Sequence, residues 1–484
     1  MGSLSRLWAP EGSDLSAKKT GFPLSPDWKS SLANLLPAQQ IRTDAEALKT
    51  YSKDWTTYFE TRASAVLFPE STDQVKKIVE WARHTKTSLV PSGGRTGLSG
   101  AACALNGEVI VSFDRMNQIL DFDPVDSIVR IQAGVITEAL QNFAKEKGLY
   151  YPVDFAARGS SQMGGTVATN AGGIRVIRYG MTRSWIAGLE VVTGSGDVLN
   201  LNQGLIKNAT GYDLRQLFIG SEGTLGFITE ILVQLTKKPA SSQVLLLALP
   251  KLQAVMEVLK VFSQKTNLTA FEMFSDLALG HVMERAGLGQ PFNQRSPFYV
   301  VLESEIPDEA SLTALTEAFE GALEKSWITD GILAQSESQA QNLWKYREQI
   351  SESISYRSPY KNDISVRPAL VPQFIEKLEA VLQQAYPSWE VVWFGHIGDG
   401  NLHVNILRPE GMTKEIFVQE CRKVDNLVFE TVKSLHGSIS AEHGVGLTKK
   451  DFLQFTRSAT EISLMKQIKA AFDPDGIINP GKVF

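Results

Sequence analysis

Apolar residues first recur at helical spacing between Thr72 and His84, where Val75, Ile78, Val79 and Ala82 fall on one stripe at i, i+3, i+4 and i+7. That spacing predicts an amphipathic helix with Thr72 just ahead of it. Ser88-Leu89-Val90 follows as a strand and runs into a glycine-rich loop, so residues 40–150 alternate helix and strand patterns in α/β order. Glycine density stays high to residue 226 and then falls. After Lys237-Lys238-Pro239-Ala240 come a strand at Leu245 to Leu249, a helix near Leu252 to Phe262, and longer charged helices. Between 300 and 425 the order is strand, helix, strand, helix, then a histidine-bearing hairpin and another helix, which predicts an α+β unit with an antiparallel sheet. The tail A-F-D-P-D-G-I-I-N-P-G-K-V-F is rich in turn residues and is expected to fold back onto another domain. The organisation expected from this pattern is an N-terminal extension (1–40), a first domain (41–239), a second (240–425) and a C-terminal segment (426–484).

The hairpin carries the most concentrated chemistry. Val391 to Phe394 is a β-prone run that stops at Gly395 and resumes as Leu402 to Leu407 after Gly398-Asp399-Gly400. Such a turn brings His396 and His403 back beside each other, and the two-residue period of a strand puts His403 and Asn405 on one face. Glu442 and His443 follow in I-S-A-E-H-G-V-G, which makes four potential ligands in a chain with 6 histidines. Two imidazoles and a carboxylate suit zinc or a similar borderline divalent ion with positions left for a substrate. A lone histidine pair on strands more often satisfies core hydrogen bonds, but two glycine-framed histidine segments favour a metal. His84, His281 and His436 lack such framing and read as ordinary surface or core residues. The pattern alone does not divide the roles of Glu442 and His443.

Composition narrows the function classes. At 484 residues with a net charge of −5, the chain has the size for two or three domains and no basic footprint for nucleic acid or an anionic membrane. Cys103 and Cys421 stand in unrelated segments, so neither a disulfide scaffold nor a thiolate zinc site is expected, and a reducing compartment fits. The first residues hold no apolar stretch of signal-peptide length, Arg6 stands where a myristoylation motif wants Ser or Thr, and Glu11 and Asp14 weigh against a transit peptide. A cytoplasmic protein without a transmembrane segment is expected.

Three glycine-rich stretches suggest a second ligand. L-V-P-S-G-G-R-T-G-L-S-G (89–100) directly follows a strand; its glycines let backbone N–H groups approach an anion, and Ser92 and Thr96 add hydroxyl donors. It is neither G-x-G-x-x-G nor a Walker A loop. Gly476-x4-Gly481-Lys482 approaches the latter, but Val483 replaces the required hydroxyl. R-G-S-S-Q-M-G-G-T-V-A-T-N-A-G-G (158–173) and G-Y-D-L-R-Q-L-F-I-G-S-E-G-T-L-G-F-I-T (211–229) add two more cradles. Three separated cradles imply a long ligand, and a dinucleotide is the natural candidate.

The order P-S-G-G-R-T-G, G-G-T-V-A-T-N-A-G-G, Y-G, G-S-E-G-T-L-G and I-N-P-G-K resembles the FAD domain of the vanillyl-alcohol oxidase / p-cresol methylhydroxylase flavoprotein superfamily, and G-H-I-G-D-G-N-L-H with A-E-H-G-V-G resembles its D-2-hydroxyacid dehydrogenase branch. Within that branch S-P-F-Y-V-V-L-E-S and L-W-K-Y-R-E-Q-I-S are most like the enzymes that oxidise D-2-hydroxyglutarate; D-lactate dehydrogenases and the glycolate oxidase flavoprotein subunit are near relatives. The resemblance implies an α+β fold with an FAD domain of two α/β subdomains, a substrate domain with a mostly antiparallel sheet, and a C-terminal segment completing the site. It implies that Pro91, Ser92, Gly93, Gly94, Arg95, Thr96 and Gly97 bind the FAD pyrophosphate and that Gly164, Gly165, Thr166, Thr169, Asn170 and Gly173 lie along the cofactor. Glu222 and Ile228 would continue that wall, and Asn479 would approach the flavin. Arg95 occupies the place where some superfamily members carry a flavin-linking histidine, so noncovalent FAD is expected.

The same resemblance assigns His396, His403 and Glu442 to the metal, His443 to the catalytic base with a substrate contact, and Asn405, Arg347, Ser351 and Lys361 to the substrate. Ser351 stands where the hydroxyglutarate enzymes carry Thr, and the interval from Arg347 to Lys361 is one residue shorter. A 2-hydroxyacid can chelate a metal through its carboxylate and C2 hydroxyl, which lowers the hydroxyl pKa while FAD takes the C2 hydride. The expected activity is oxidation of D-2-hydroxyglutarate to 2-oxoglutarate, with electrons leaving to a protein or quinone acceptor; D-lactate or glycolate oxidation is the alternative of the same class. A eukaryotic source would place it in the mitochondrial matrix, and a homodimer and peripheral membrane association stay open. The reading from another class is a noncatalytic flavin-binding subunit of an assembly. An intact His396, His403, Glu442 and His443 set argues against it, since a scaffold gains nothing from such a cluster.

Overall fold

The computed structural model describes residues 28–484 apart from Thr57. The expectations for Arg6, Glu11 and Asp14 lie outside the described residues. Two compact units emerge: one takes the described residues up to Gly172, Met181–Lys238 and Glu442–Phe484, and the other takes Gly173–Gly180 and Pro239–Ala441. The fold is α+β.

Among the described residues, the first unit holds a four-stranded sheet in the order Ile41–Arg42, Ala63–Leu67, Glu108–Ser112, Leu89–Ser92. Its last three strands run parallel, which demands a crossover between Ala63–Leu67 and Leu89–Ser92. The helix Thr72–Thr85 supplies it. Ser71, not Thr72, caps this helix, accepting from the Gln74 amide at 3.3 Å, and Lys86 closes it at φ 54°. Val75, Ile78 and Val79 are 0% exposed, so the predicted stripe is the buried face, each side chain contributing about 1.5–3 kcal/mol. A five-stranded antiparallel sheet follows in the order Ile119–Asp123, Ile128–Gln132, Gly226–Gln234, Ile186–Thr193, Val198–Leu201. Leu32 and Leu36 join the same apolar core.

The turn-rich tail returns to this first unit. Ile478 bridges Leu89 in parallel, the Leu89 amide donates to Ile477 O at 2.8 Å, and the Asn479 amide donates to Leu89 O at 2.7 Å. Asp473 tightens the turn by accepting from the Ile477 and Ile478 amides at 3.1 and 2.9 Å.

Among the described residues of the second unit, seven strands form one sheet in the order Asp330–Leu333, Ser242–Leu249, Phe298–Glu305, Asn267–Ser275, Val391–Gly395, Asn401–Ile406, Tyr360–Ser365. Every pairing is antiparallel. Helices Asp276–Ala286, Glu337–Glu348 and Ile350–Ser353 pack with Ala270, Phe274, Val392 and Phe394 into one core. The inserted segment Gly173–Gly180 is fixed by Arg175, whose guanidinium donates to both oxygens of Glu303 at 2.9 and 3.2 Å. No helix of the described residues is long and apolar enough to cross a membrane, and both cysteines are free and buried.

Candidate functional site

The histidine hairpin forms as its sequence predicts. Strands Val391–Gly395 and Asn401–Ile406 pair with Phe394 opposite His403, and the His396 and His403 rings stand edge to face with centroids 5.4 Å apart. The turn closes through the Asn401 amide donating to His396 O at 3.1 Å. Gly400 is required twice over: its φ is +84°, and a Cβ there would lie 1.9 Å from Val366 O.

Across the next strand pair Lys361 stands opposite Asn405, and Asp363 opposite His403. The two-residue period then gathers His403, Asn405, Lys361 and Asp363 on one face of the sheet. Asn405 is buried, and its Nδ2 has no hydrogen-bond partner in the protein, so it leaves a donor for a ligand. Lys361 keeps much of its surface in solvent, yet enough protein surrounds its ammonium for desolvation to lower its pKa.

Each histidine turns Nδ1 toward a carboxylate. His396 Nδ1 lies 2.7 Å from Glu272 Oε1, and His403 Nδ1 lies 3.7 Å from Asp363 Oδ1, itself an acceptor from Asn401 Nδ2 at 2.8 Å. Glu272 Oε2 stands 2.9 Å from Arg347 NH2, close enough for an ion pair though without hydrogen-bond alignment, and Arg347 lies 4.7 Å over the Phe394 ring. Burial works against a charged Glu272, but His396 and Arg347 outweigh it and hold the carboxyl below the usual range. An imidazole that donates from Nδ1 to a carboxylate carries its lone pair on Nε2, the arrangement expected of metal ligands, so the residues present fit a divalent ion. Arg347 is buried and already engages a carboxylate of the chain, while Ser351 is exposed on the short helix Ile350–Ser353 that follows.

Glu442 and His443 belong to the first unit and are half-buried, with His443 Nε2 3.7 Å from Glu442 Oε1. The backbone that follows them is clamped by Glu222, which accepts from the Val445 and Gly446 amides at 2.7 and 2.8 Å. Burial raises the Glu222 pKa against the pull of these donors. Glu222 thus anchors the A-E-H-G-V-G segment as well as standing in the glycine-rich stretch that the cofactor reading singled out.

The remaining cofactor candidates also lie in the first unit, except Gly173, which opens the inserted segment of the second. Pro91 and Ser92 end the strand Leu89–Ser92, and Gly93 to Gly97 continue as the loop. A Cβ on Gly94 would lie 2.1 Å from Ser160 O, so the loop reaches this close only with glycine. Arg95 adopts φ 59°, donates to Gly93 O at 2.8 Å, and lies 4.3 Å over Tyr51 and 3.6 Å from Asp114. A cleft of about 560 Å³ opens beside it, lined by Gly94, Arg95, Asp114, Gly134, Ser160 and Gln162. Gln162 donates to Asp114 at 2.8 Å, while its Oε1 is buried without a partner. Gly164, Gly165, Thr166 and Thr169 lie on the helix Met163–Thr169, and Asn170 ends it at φ 50°. Ile228 is buried in the strand Gly226–Gln234. Asn479 donates to Ala101 O and Glu222 O at 3.0 and 2.9 Å, and its Oδ1 is likewise buried without a partner.

Arg95, Asn170, Glu222 and Asn479 all have positive φ, a conformation that costs non-glycine residues about 1–3 kcal/mol and clusters at ligand sites. With the glycine cradle and two orphaned acceptors, these residues fit FAD. Sequence reasoning missed Glu272, Asp363, Asp114 and Gln162. Glu272 left a readable signal: it is the one charge in the otherwise apolar strand stretch A-F-E-M-F.

Residues 238–483 match the family described as FAD linked oxidases, C-terminal domain, and residues 63–202 match the FAD binding domain. The chain belongs to the FAD-linked oxidase family. It is an FAD-dependent oxidoreductase. A D-2-hydroxyglutarate dehydrogenase of Stutzerimonas stutzeri is 56% identical over 453 residues, covering 94% of this chain and 98% of that protein. Another, of Xanthomonas citri pv. viticola, is 50% identical over 454 residues, covering 94% and 96%. The crystal structure of p-cresol methylhydroxylase with substrate bound aligns at a TM-score of 0.73 over 94% of this chain and 95% of that one; at 15% identity it speaks to the fold alone. The fold is the one implied by the motif order.

Proposed function

We propose that this FAD-linked oxidase converts D-2-hydroxyglutarate to 2-oxoglutarate with a divalent metal, zinc being the ion that suits its donor set, and passes the electrons to a protein or quinone acceptor. The observation that carries the reading is the sheet face shared by His403, Lys361 and the unpartnered amide of Asn405, in a chain so similar to two D-2-hydroxyglutarate dehydrogenases. When bound, FAD supplies a hydride acceptor for C2 and the metal acidifies the C2 hydroxyl. His396 and His403 would hold the metal, with Glu442, which directly follows the last residue of the hairpin's unit, as third ligand. His443 takes the hydroxyl proton as C2 loses its hydride, so one C–H and one O–H bond are exchanged for a carbonyl. Asn405 Nδ2 donates to the substrate, and the cations of Lys361 and Arg347 answer its carboxylates, with Ser351 adding a hydroxyl near Arg347.

An anaerobic screen of D- and L-2-hydroxyacids by bleaching of the oxidised flavin band tests this. D-2-hydroxyglutarate should bleach fastest. Faster bleaching by D-lactate or glycolate would reassign the substrate, and no bleaching by any acid would favour a noncatalytic flavin-binding subunit.

A further inference from the structure

The geometry points to Glu272 as a positioning residue: it accepts from His396 Nδ1, keeps the imidazole lone pair on Nε2, and ties that choice to Arg347 through its second oxygen. The inference rests on the metal reading proposed above. Glu272 is 1% exposed and divides its oxygens, Oε1 2.7 Å from His396 Nδ1 and Oε2 2.9 Å from Arg347 NH2. Its neighbours Phe271, Met273 and Phe274 are all buried apolar residues. A fold seeking stability alone would do as well with an apolar side chain here, because replacing buried ion groups by well-packed hydrophobic ones is often neutral or stabilising. A carboxylate behind a ligating imidazole has a specific use. It fixes the tautomer and the ring orientation and makes the other nitrogen a better ligand. His403 also turns Nδ1 toward a carboxylate, but Asp363 Oδ1 stands 3.7 Å away, beyond hydrogen-bond distance, so the close contact belongs to Glu272 and His396.

Glutamine in place of Glu272 keeps the shape but can offer an N–H to His396 Nδ1, which favours the opposite tautomer. Two measurements on the full-length, FAD-loaded protein test the inference. The first is the zinc dissociation constant by competition with a chelator. Glu272→Gln should weaken zinc by ~10- to 100-fold with FAD retained, and Glu272→Asp, which keeps the carboxylate, should recover part of that loss. The second is the tautomer of His396 in metal-stripped, ¹⁵N-histidine-labelled protein, assigned with a His396→Asn control. The wild type should be protonated at Nδ1, and the glutamine variant should shift toward Nε2–H. An Nε2–H tautomer in the wild type, or unchanged zinc affinity in a folded Glu272→Gln variant, overturns the inference. Should the glutamine variant lose its circular dichroism, the wild-type tautomer decides. Absence of zinc binding by the wild type would sink the metal reading instead, and the tautomer would still test Glu272.

Discussion

Lys361 and Asn405 face each other across the last strand pair of the second unit's sheet, a flexible cation beside a buried amide whose donor has no protein partner. Neither needs the other for its charge or its hydrogen bonds, so both are available to one anion on that face. If Lys361 reads the distal carboxylate of D-2-hydroxyglutarate, Lys361→Ala should lower kcat/KM for that acid by about tenfold or more, the ~1.5 kcal/mol of one charge-assisted hydrogen bond, and leave D-lactate nearly untouched. Equal losses for the two acids would place Lys361 at the carboxylate they share.

Arg347 has a structural duty that its place on a polar helix does not reveal. Its guanidinium partners a fully buried carboxylate 2.9 Å away, so Arg347→Ala leaves Glu272 with one cation fewer. Breaking such a pair from one side costs about 3–5 kcal/mol. The urea midpoint should therefore fall along with activity, and adding Glu272→Gln should recover part of the stability but not the activity. Strictly additive stability losses in that double-mutant cycle would show that the two side chains are not coupled.

How much was legible follows from how far each signal reaches along the chain. The hairpin was readable because its strands, its Gly398-Asp399-Gly400 turn and both histidines lie within one short stretch, where the period of two fixes the faces. The helix Thr72–Thr85 was readable for the same reason, down to its buried stripe, although the cap is Ser71. Glu272 meets His396 and Arg347 only after distant strands and a helix come together, and no local pattern carries that pairing. The same holds for Asp363 behind His403, and for Glu222, which a glycine-rich motif marks without revealing that it clamps the Val445 and Gly446 amides. The excursion Gly173–Gly180 was hidden because its anchor, Arg175 on Glu303, joins remote residues.

His281, read as an ordinary residue, should make the protein sensitive to mild acid. It is 7% exposed, and neither ring nitrogen has a hydrogen-bond partner. Burial is the largest influence on it and lowers its pKa below the usual 6.5, despite the opposing pull of Glu390. Between the folded and unfolded pKa values the unfolded chain binds more protons, so stability rises with pH across that window. The contribution is fully present above about 6.5 and is lost as pH falls through the folded value. His281→Phe should flatten this part of the urea midpoint's pH dependence. An unchanged slope between the variant and the wild type would remove His281 as its source.

Metal and flavin should come away separately, because the proposed ligand sets share no residue: Pro91 to Gly97, the helix Met163–Thr169 and Asn479 for FAD, and His396, His403 and Glu442 for the ion. A strong chelator should abolish turnover and leave the protein yellow, and adding back zinc should restore activity. Acid denaturation should then release the flavin into the supernatant. The resemblance implies that Arg95 stands where some superfamily members carry a flavin-linking histidine, and a guanidinium, here held by Gly93 O, Asp114 and the Tyr51 ring, forms no such link. Loss of the flavin absorbance together with the metal would contradict the division of ligands, whereas flavin remaining on the acid-precipitated protein would contradict only the noncovalent attachment. The two measurements fail independently, so the pair tells which half of the assignment is wrong.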